Sequence, residues 1–229
     1  NNAEVFIIKY NNNGNFIWAK SVGGESPDFA FSLTIDSDNN LYALGYYIDT
    51  ADFDPGIGNF TLITDTVSLF LLKLDSAGNF IWAKDWNTHF LSQYSKVIID
   101  ATGDVFICAD FRFTLDSDPG TGVHIISPPS PFTWLSSMMV KLDSSGNHLS
   151  TRVMAGAMTD ITFDPGGNLR PLRHAANTEL SGSAHGVVCI RNSPNPARYV
   201  DGAHWRDHRL SPARPCPGLG ASAGLDAGR

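Results

Sequence analysis

The sequence has no apolar run approaching the roughly 20 residues that a membrane-spanning helix needs. Its three cysteines, Cys108, Cys189 and Cys216, are odd in number and form no C-x-x-C pair, which excludes a disulfide framework and a zinc knuckle. Cys108 sits inside an apolar run and reads as a buried thiol, since free cysteine packs like a small hydrophobe. Gly-x-Ser-x-Gly and the glycine loops that cradle phosphates are absent, and with them the chemistry those turns support. Lysine stops at Lys141 and phenylalanine at Phe163, whereas eight of the ten arginines follow residue 169. Two kinds of sequence are therefore joined. Residues 1–169 carry 8 Lys+Arg against 19 Asp+Glu, and residues 170–229 carry 8 against 4, which together give the net −7 of the whole. A body this acidic excludes nucleic-acid binding, which needs a basic surface to displace counterions from phosphates. The chain begins Asn1-Asn2-Ala3, without Met or a signal peptide, and that start says nothing about compartment.

What is present is a repeat. Val5 to Lys20 (VFIIKYNNNGNFIWAK) laid over Leu69 to Lys84 (LFLLKLDSAGNFIWAK) gives 9 identities in 16 positions at an offset of 64, where chance composition gives about one. The offset holds further on, pairing Asp52-Phe-Asp54-Pro-Gly with Asp116-Ser-Asp118-Pro-Gly. A third copy begins at Met138 and reaches Leu169. The copies are bounded at 5–68, 69–137 and 138–169, with a longer loop, Ser127 to Ser137, between the last two. Insertions confined to loops are what stacked repeats tolerate.

Each unit predicts four strands: Ser32 to Asp36, Leu41 to Ile48, Leu69 to Asp75 and Asn79 to Trp86. Short Asp/Asn/Ser/Gly clusters such as Asp75-Ser-Ala-Gly78-Asn79 read as hairpin turns, with glycine supplying positive φ. Consecutive strands are then antiparallel neighbours. Val5-Phe-Ile-Ile8 and Leu69-Phe-Leu-Leu72 are continuous apolar runs, which predicts burial on both faces. A ring of four-stranded blades gives each blade two neighbours and accounts for this; a β-sandwich would bury one face of each sheet. The expected fold is therefore all-β, a partial β-propeller of four-stranded antiparallel blades. Trp18 and Trp82 read as packing residues.

Gly14-Asn-Phe-Ile-Trp-Ala-Lys20 with its copy Gly78 to Lys84, Leu41-Tyr-Ala-Leu-Gly45 and Ala51-Asp-Phe-Asp-Pro-Gly56 resemble the SBBP repeat. This is a bacterial β-propeller repeat family named for a seven-bladed arrangement, here in the form with the Ala-Asp-Phe-Asp-Pro-Gly insertion found in secreted Bacteroidetes proteins. The resemblance covers residues 3–169 and implies an extracellular or cell-surface repeat protein. Gly45 becomes Ala109 in the second copy, and Trp82 and Lys84 become Ser150 and Arg152 in the third. In the family's order the chain supplies the last two strands of one blade, two whole blades and the start of another. A ring takes at least four blades, so an open arc with exposed blade faces is expected, and neighbouring blades of the full-length propeller are its natural partners.

From Arg170 the repeat does not return, and Ala, Gly, Pro and Arg make 30 of the last 60 residues. Such a composition has little to build a core with, and 170–229 is expected to be a disordered tail. Its GC-rich codon types contrast with the AT-rich body, which suggests a chimeric or misassembled reading frame at Leu169. The competing reading is a genuine linker, with Ser193-Pro-Asn-Pro196 echoing the start of a type IX sorting domain.

Four carboxylates, Asp52, Asp54, Asp116 and Asp118, are candidates for Ca²⁺, which takes clustered oxygen ligands. The third acid and closing Glu of an EF-hand loop are missing, and a tight Asp-Pro-Gly turn explains the same residues. No other cofactor is implied. His89, His124 and His148 occupy non-repeating positions, and the i, i+4 pair His204 and His208 lacks the Glu and the helical context of a metal site. No catalytic residues emerge. The expected function is a non-catalytic structural or interaction module that holds protein or glycan partners through propeller loops. The alternative is a fragment of a propeller-based hydrolase or lyase whose active residues lie on other blades. The apolar, Pro-rich loop Ser127 to Trp134 suits contact rather than catalysis.

Overall fold

Five-residue turns organise the chain. In Asp75 to Asn79 the amide of Asp75 donates to the Asn79 carbonyl and that of Gly78 to the Asp75 carbonyl, while Asp75 Oδ1 accepts the amides of Ala77 and Asn79 at 2.8 Å each. The fourth residue must adopt positive φ, which glycine does without the Cβ penalty, and Gly78 stands at +81°. The same turn recurs at Asn11, Asp36, Asp100, Asp143 and Asp164, with Asn39 taking the glycine's place in the second at φ +63°.

A computed structural model of the chain describes residues 4–88, 94–129 and 135–173. The described residues belong to one compact unit and are all-β, with strands β1 (Val5–Tyr10), β2 (Phe16–Gly24), β3 (Phe29–Ile35), β4 (Leu41–Asp52), β5 (Thr61–Leu74), β6 (Phe80–Asp85), β7 (Lys96–Ile99), β8 (Val105–Phe111), β9 (Leu115–Asp116), β10 (Ile125–Ile126), β11 (Ser136–Leu142), β12 (His148–Ala155), β13 (Met158–Phe163) and β14 (Leu169–Arg173). They form the expected series. β3-β4-β5-β6 is one four-stranded antiparallel blade and β7-β8-β11-β12 the next, with β1-β2 before them and β13-β14 after. The first strands of successive blades, β3, β7 and β13, are neighbours, as inner strands gathered round a propeller axis would be.

The cores lie between blades. Tyr42, Leu44, Leu69 and Leu71 of the first full blade pack with Val97, Val105, Ile107 and Met138 of the second. Phe70, Leu72 and Leu74 pack with Val5, Ile7 and Val22 of the preceding pair. Leu69 to Leu74 is thus buried on both faces, as its continuous apolarity predicts. Val5 to Ile8 is not: Phe6 and Ile8 stay exposed, because no described strand covers their side. Cys108 is a free, buried thiol whose pKa burial pushes up, between the second blade and Met158 and Ile161.

Strand β14 corrects the expected boundary at residue 169. Arg170 to Arg173 pair with Met158 to Thr162, so the blade pattern runs past the point where the sequence departs from it, because a ladder is made by backbone groups that most side chains permit. The remaining tail, including Cys189, His204 and His208, lies outside the described residues, as do His89 and 130–134 of the Pro-rich loop. Among the described residues no helix is long and apolar enough to cross a membrane.

Candidate functional site

The repeated Lys and Trp explain how blades are joined. Lys9 Nζ donates to the Ser76 carbonyl at 2.6 Å and Trp18 Nε1 to the same oxygen at 3.4 Å. One blade later Lys73 Nζ donates to the Ser144 carbonyl at 2.9 Å, with its ammonium 6.0 Å from the Trp82 ring. A Cβ on Gly78 would meet Trp18 and Lys20, and one on Gly146 would meet Trp82 and Lys84. Each blade's Lys, Trp and Lys therefore close over the third-to-fourth-strand turn of the next. Trp18 and Trp82 are packing residues, as expected.

Beyond this grip, the Asp-x-Asp-Pro-Gly segments cap hairpins that reach back to the preceding blade. At the first junction Ala51 and Asp52 pair with Gly24 and Gly23; a Cβ on Gly24 would collide with the Thr50 carbonyl. At the second, Trp86 Nε1 donates to the Ser117 carbonyl at 3.0 Å. Two shallow grooves follow at equivalent places. One, of about 490 Å³, is lined by Gly23, Gly24, Glu25, Asp49, Asp52 and Asn59 among others. The other, of about 210 Å³, is lined by Asp85, Trp86, Asn87, Asp116, Asp118 and Pro119 with Gly120. Beside the first, Asp28 accepts the Gly24 amide at 2.7 Å, and burial raises its pKa.

The four Ca²⁺ candidates sit at these hairpins with one oxygen of each, Oδ1, engaged by backbone. Asp52 Oδ1 accepts the amides of Asp54 at 3.0 Å and Phe60 at 2.8 Å, and Asp116 Oδ1 those of Asp118 at 3.0 Å and His124 at 2.7 Å. Asp54 and Asp118 each accept the amide two residues on, from Gly56 and Gly120, at 2.8 Å. Among the described residues no group of three or more His, Cys, Asp or Glu side chains is arranged to hold a metal ion.

The two hairpins differ in one patch. In the first, Phe60 and Phe80 stack with centroids 4.7 Å apart and planes tilted by 35°, and Phe53 and Ala83 are buried beside Phe70 and Leu72. In the second, His124 and His148 take the places of the two rings, 4.9 Å apart and tilted by 36°. Ser117 stands where Phe53 does and Thr151 where Ala83 does. An apolar patch has become polar without moving.

Its hydrogen bonds fix a direction. Ser117 Oγ reaches the His124 carbonyl at 3.0 Å and Thr151 Oγ1 at 2.8 Å, and Thr151 Oγ1 reaches His148 Nε2 at 2.8 Å. The carbonyl can only accept, so Ser117 donates to it; Thr151 must then donate to Ser117, and His148 Nε2–H to Thr151. All three bonds coexist in this arrangement alone. Burial is the main cause that lowers the His148 pKa; Asp118 and Asp116 oppose it, and His124 adds to it.

The sequence named His124 and His148 only as non-repeating positions. Their signal was the exchange of two phenylalanines for two histidines between copies, visible only when hairpin and fourth strand are compared together.

No family model matches the chain. Residues over a 111-residue stretch are 31% identical to an uncharacterised WD repeat-containing protein, L264, of Acanthamoeba polyphaga mimivirus, which covers 47% of this chain. The matched stretch is 8% of that protein's length. This likeness and the blades agree on a propeller-type repeat.

Proposed function

We propose that the chain is a non-catalytic interaction module of a secreted or cell-surface repeat protein of the SBBP type, holding a protein or glycan partner at the β9-β10 hairpin and its groove. The observation that carries this reading is the replacement of Phe53, Phe60, Phe80 and Ala83 by Ser117, His124, His148 and Thr151 on an unchanged frame. Packing alone gives no reason to put four polar groups where four apolar ones serve, whereas recognition of a polar partner does. The WD-repeat likeness supports an interaction role in general; the Ala51 to Gly56 insertion and the Lys-Trp grip support the SBBP reading.

Nucleophilic catalysis by Thr151 at this site would need His148 to accept a proton from Thr151. That reversal breaks the chain of donors ending at the His124 carbonyl. The reading also takes no cofactor, because Oδ1 of each candidate Asp already accepts backbone amides; heat on calorimetric titration with millimolar Ca²⁺ would overturn that part. For binding, the chain and its His124→Phe/His148→Phe variant are applied to a glycan array and to immobilised surface-protein extract. Signals lost in the variant support the site; equal signals, or none from either, remove it.

A further inference from the structure

Asn59-Phe60-Thr61 is an Asn-x-Thr triplet with a residue other than proline in the middle, the acceptor sequence for N-linked glycans. No other Asn-x-Ser or Asn-x-Thr triplet occurs in the chain. This one lies where the first long hairpin returns from Asp54-Pro-Gly56, with Thr61 opening β5. The equivalent residues of the second hairpin, 64 positions on, are Val123-His124-Ile125. The triplet is therefore not something the repeat demands.

Its geometry suits an acceptor. Asn59 and Thr61 are both exposed, and Thr61 Oγ1 donates to Asn59 Oδ1 at 2.6 Å, so the hydroxyl that the triplet requires stands against the amide that it serves. Extended backbone sends alternate side chains to opposite faces. Phe60 accordingly points away and stacks on Phe80, while Asn59 and Thr61 share the lining of the larger groove with Glu25, Ser26, Asp49 and Asp52. Asn59 Nδ2 donates one hydrogen to Asp52 Oδ2 at 3.3 Å and carries a second. Ile57 and Ile63, on either side of the triplet, are exposed, and a bulky hydrophilic attachment shields such apolar surface.

We propose that Asn59 is a glycosylation site that takes an N-linked oligosaccharide. The inference rests on the secreted or cell-surface reading above, because lipid-linked glycan donors and their membrane-bound transferase act on the exported side of a membrane. Asn59 Nδ2 attacks the anomeric carbon of a polyprenyl diphosphate-linked oligosaccharide. The bond from that carbon to the diphosphate oxygen breaks and its electron pair leaves on the diphosphate; a carbon–nitrogen bond forms, and Nδ2 releases one proton to a base of the transferase. The hydrogen that stays on Nδ2 still donates to Asp52, so the hairpin keeps its shape. Around the attachment point Ser26 Oγ, which bonds Asp49 Oδ2 at 2.7 Å, and the carboxylate of Asp49 offer sugar hydroxyls a polar surface.

To test this, the full chain is expressed behind a cleavable secretory signal in cultured animal cells and taken from the medium. The parent is expected as a band of slower mobility that peptide N-glycosidase collapses, with Asn59 recovered as Asp by mass spectrometry. Asn59→Gln and Thr61→Val, both at exposed positions, are expected to lose the shift at undiminished secretion, while Thr61→Ser, which keeps the hydroxyl, retains it. An unshifted parent, or a shift that survives Asn59→Gln, overturns this proposal alone. Intact source cells and their medium are then probed with antibody, and chain recovered there is expected to carry the modification at Asn59. Chain present but unmodified again overturns this proposal alone; chain absent from both surface and medium overturns the localisation reading and this proposal together. None of these outcomes bears on the histidine site, which uses other residues.

Discussion

His148 sits in its hydrogen-bonded chain as a neutral donor, and burial beside His124 keeps its pKa below the ordinary 6.5. The folded state therefore binds its proton later than the unfolded state as pH falls. Stability from this group is complete above pH 6.5 and is lost as pH drops below that value towards the folded pKa. The melting midpoint is expected to fall between pH 7.5 and 5.5, and His124→Phe/His148→Phe, which restores the ring pair of the first hairpin, should flatten that slope. An unchanged slope in the variant would place the pH dependence elsewhere. Residue identity alone did not disclose this site, since 24 positions separate the two histidines (124 and 148) and they lie on different elements. Cys108 was legible, because an apolar run leaves a thiol nowhere polar to go. The Asp-Pro-Gly carboxylates were half legible: their turn chemistry could be read, but the grooves beside them depend on the preceding blade.

At the scale of the element, the five-residue turn is the unit that most rewards perturbation. Asp75→Ala leaves the exposed amides of Ala77 and Asn79 without their acceptor and is expected to cost about 0.5–1.5 kcal/mol in urea unfolding. Gly146→Ala combines positive φ with close approach to Trp82 and Lys84 and should cost about 1–2 kcal/mol by the same measurement. Loss of less than about 0.5 kcal/mol in both would deny the turn its role. These hydrogen bonds also hold Asp75, Asp143 and Asp164 below the ordinary carboxyl value of 3.8. Depressed carboxyls stabilise above that value and cease to do so as pH falls through their folded pKa, so acid unfolding should begin below about pH 4 and be delayed by the matching Asp→Asn changes. The turns and the strand order were readable, because Asp, Gly and Asn act locally. Strand ends were less so: β4 and β5 run on through the insertion as one long hairpin, and β14 forms from Arg and Pro where no strand pattern exists, its pairing supplied by β13.

For the whole molecule, the decisive fact is that no blade has a core of its own. Leu71 is fully buried against residues of the next blade, so Leu71→Ala should cost about 2–5 kcal/mol and lower hydrogen-exchange protection in β8 and β11 as much as in β4. Protection lost in β4 alone would mean that blades fold independently. Two-sided burial was legible in the continuous apolar runs; which runs find a second neighbour was not, because that depends on what stands beside them in space. The grip of Lys and Trp on the following turn adds a direction to this stack. A change in a turn is felt first by the blade before it. Every Trp needs a third-to-fourth-strand turn ahead of it to be worth keeping. Among the described residues β12 has no such turn ahead, and it carries Ser150 and Arg152 where the two earlier fourth strands carry Trp and Lys. In such an array strain is passed in one direction: a misplaced turn at Gly78 or Gly146 is met first by the tryptophan and lysine of the fourth strand behind it.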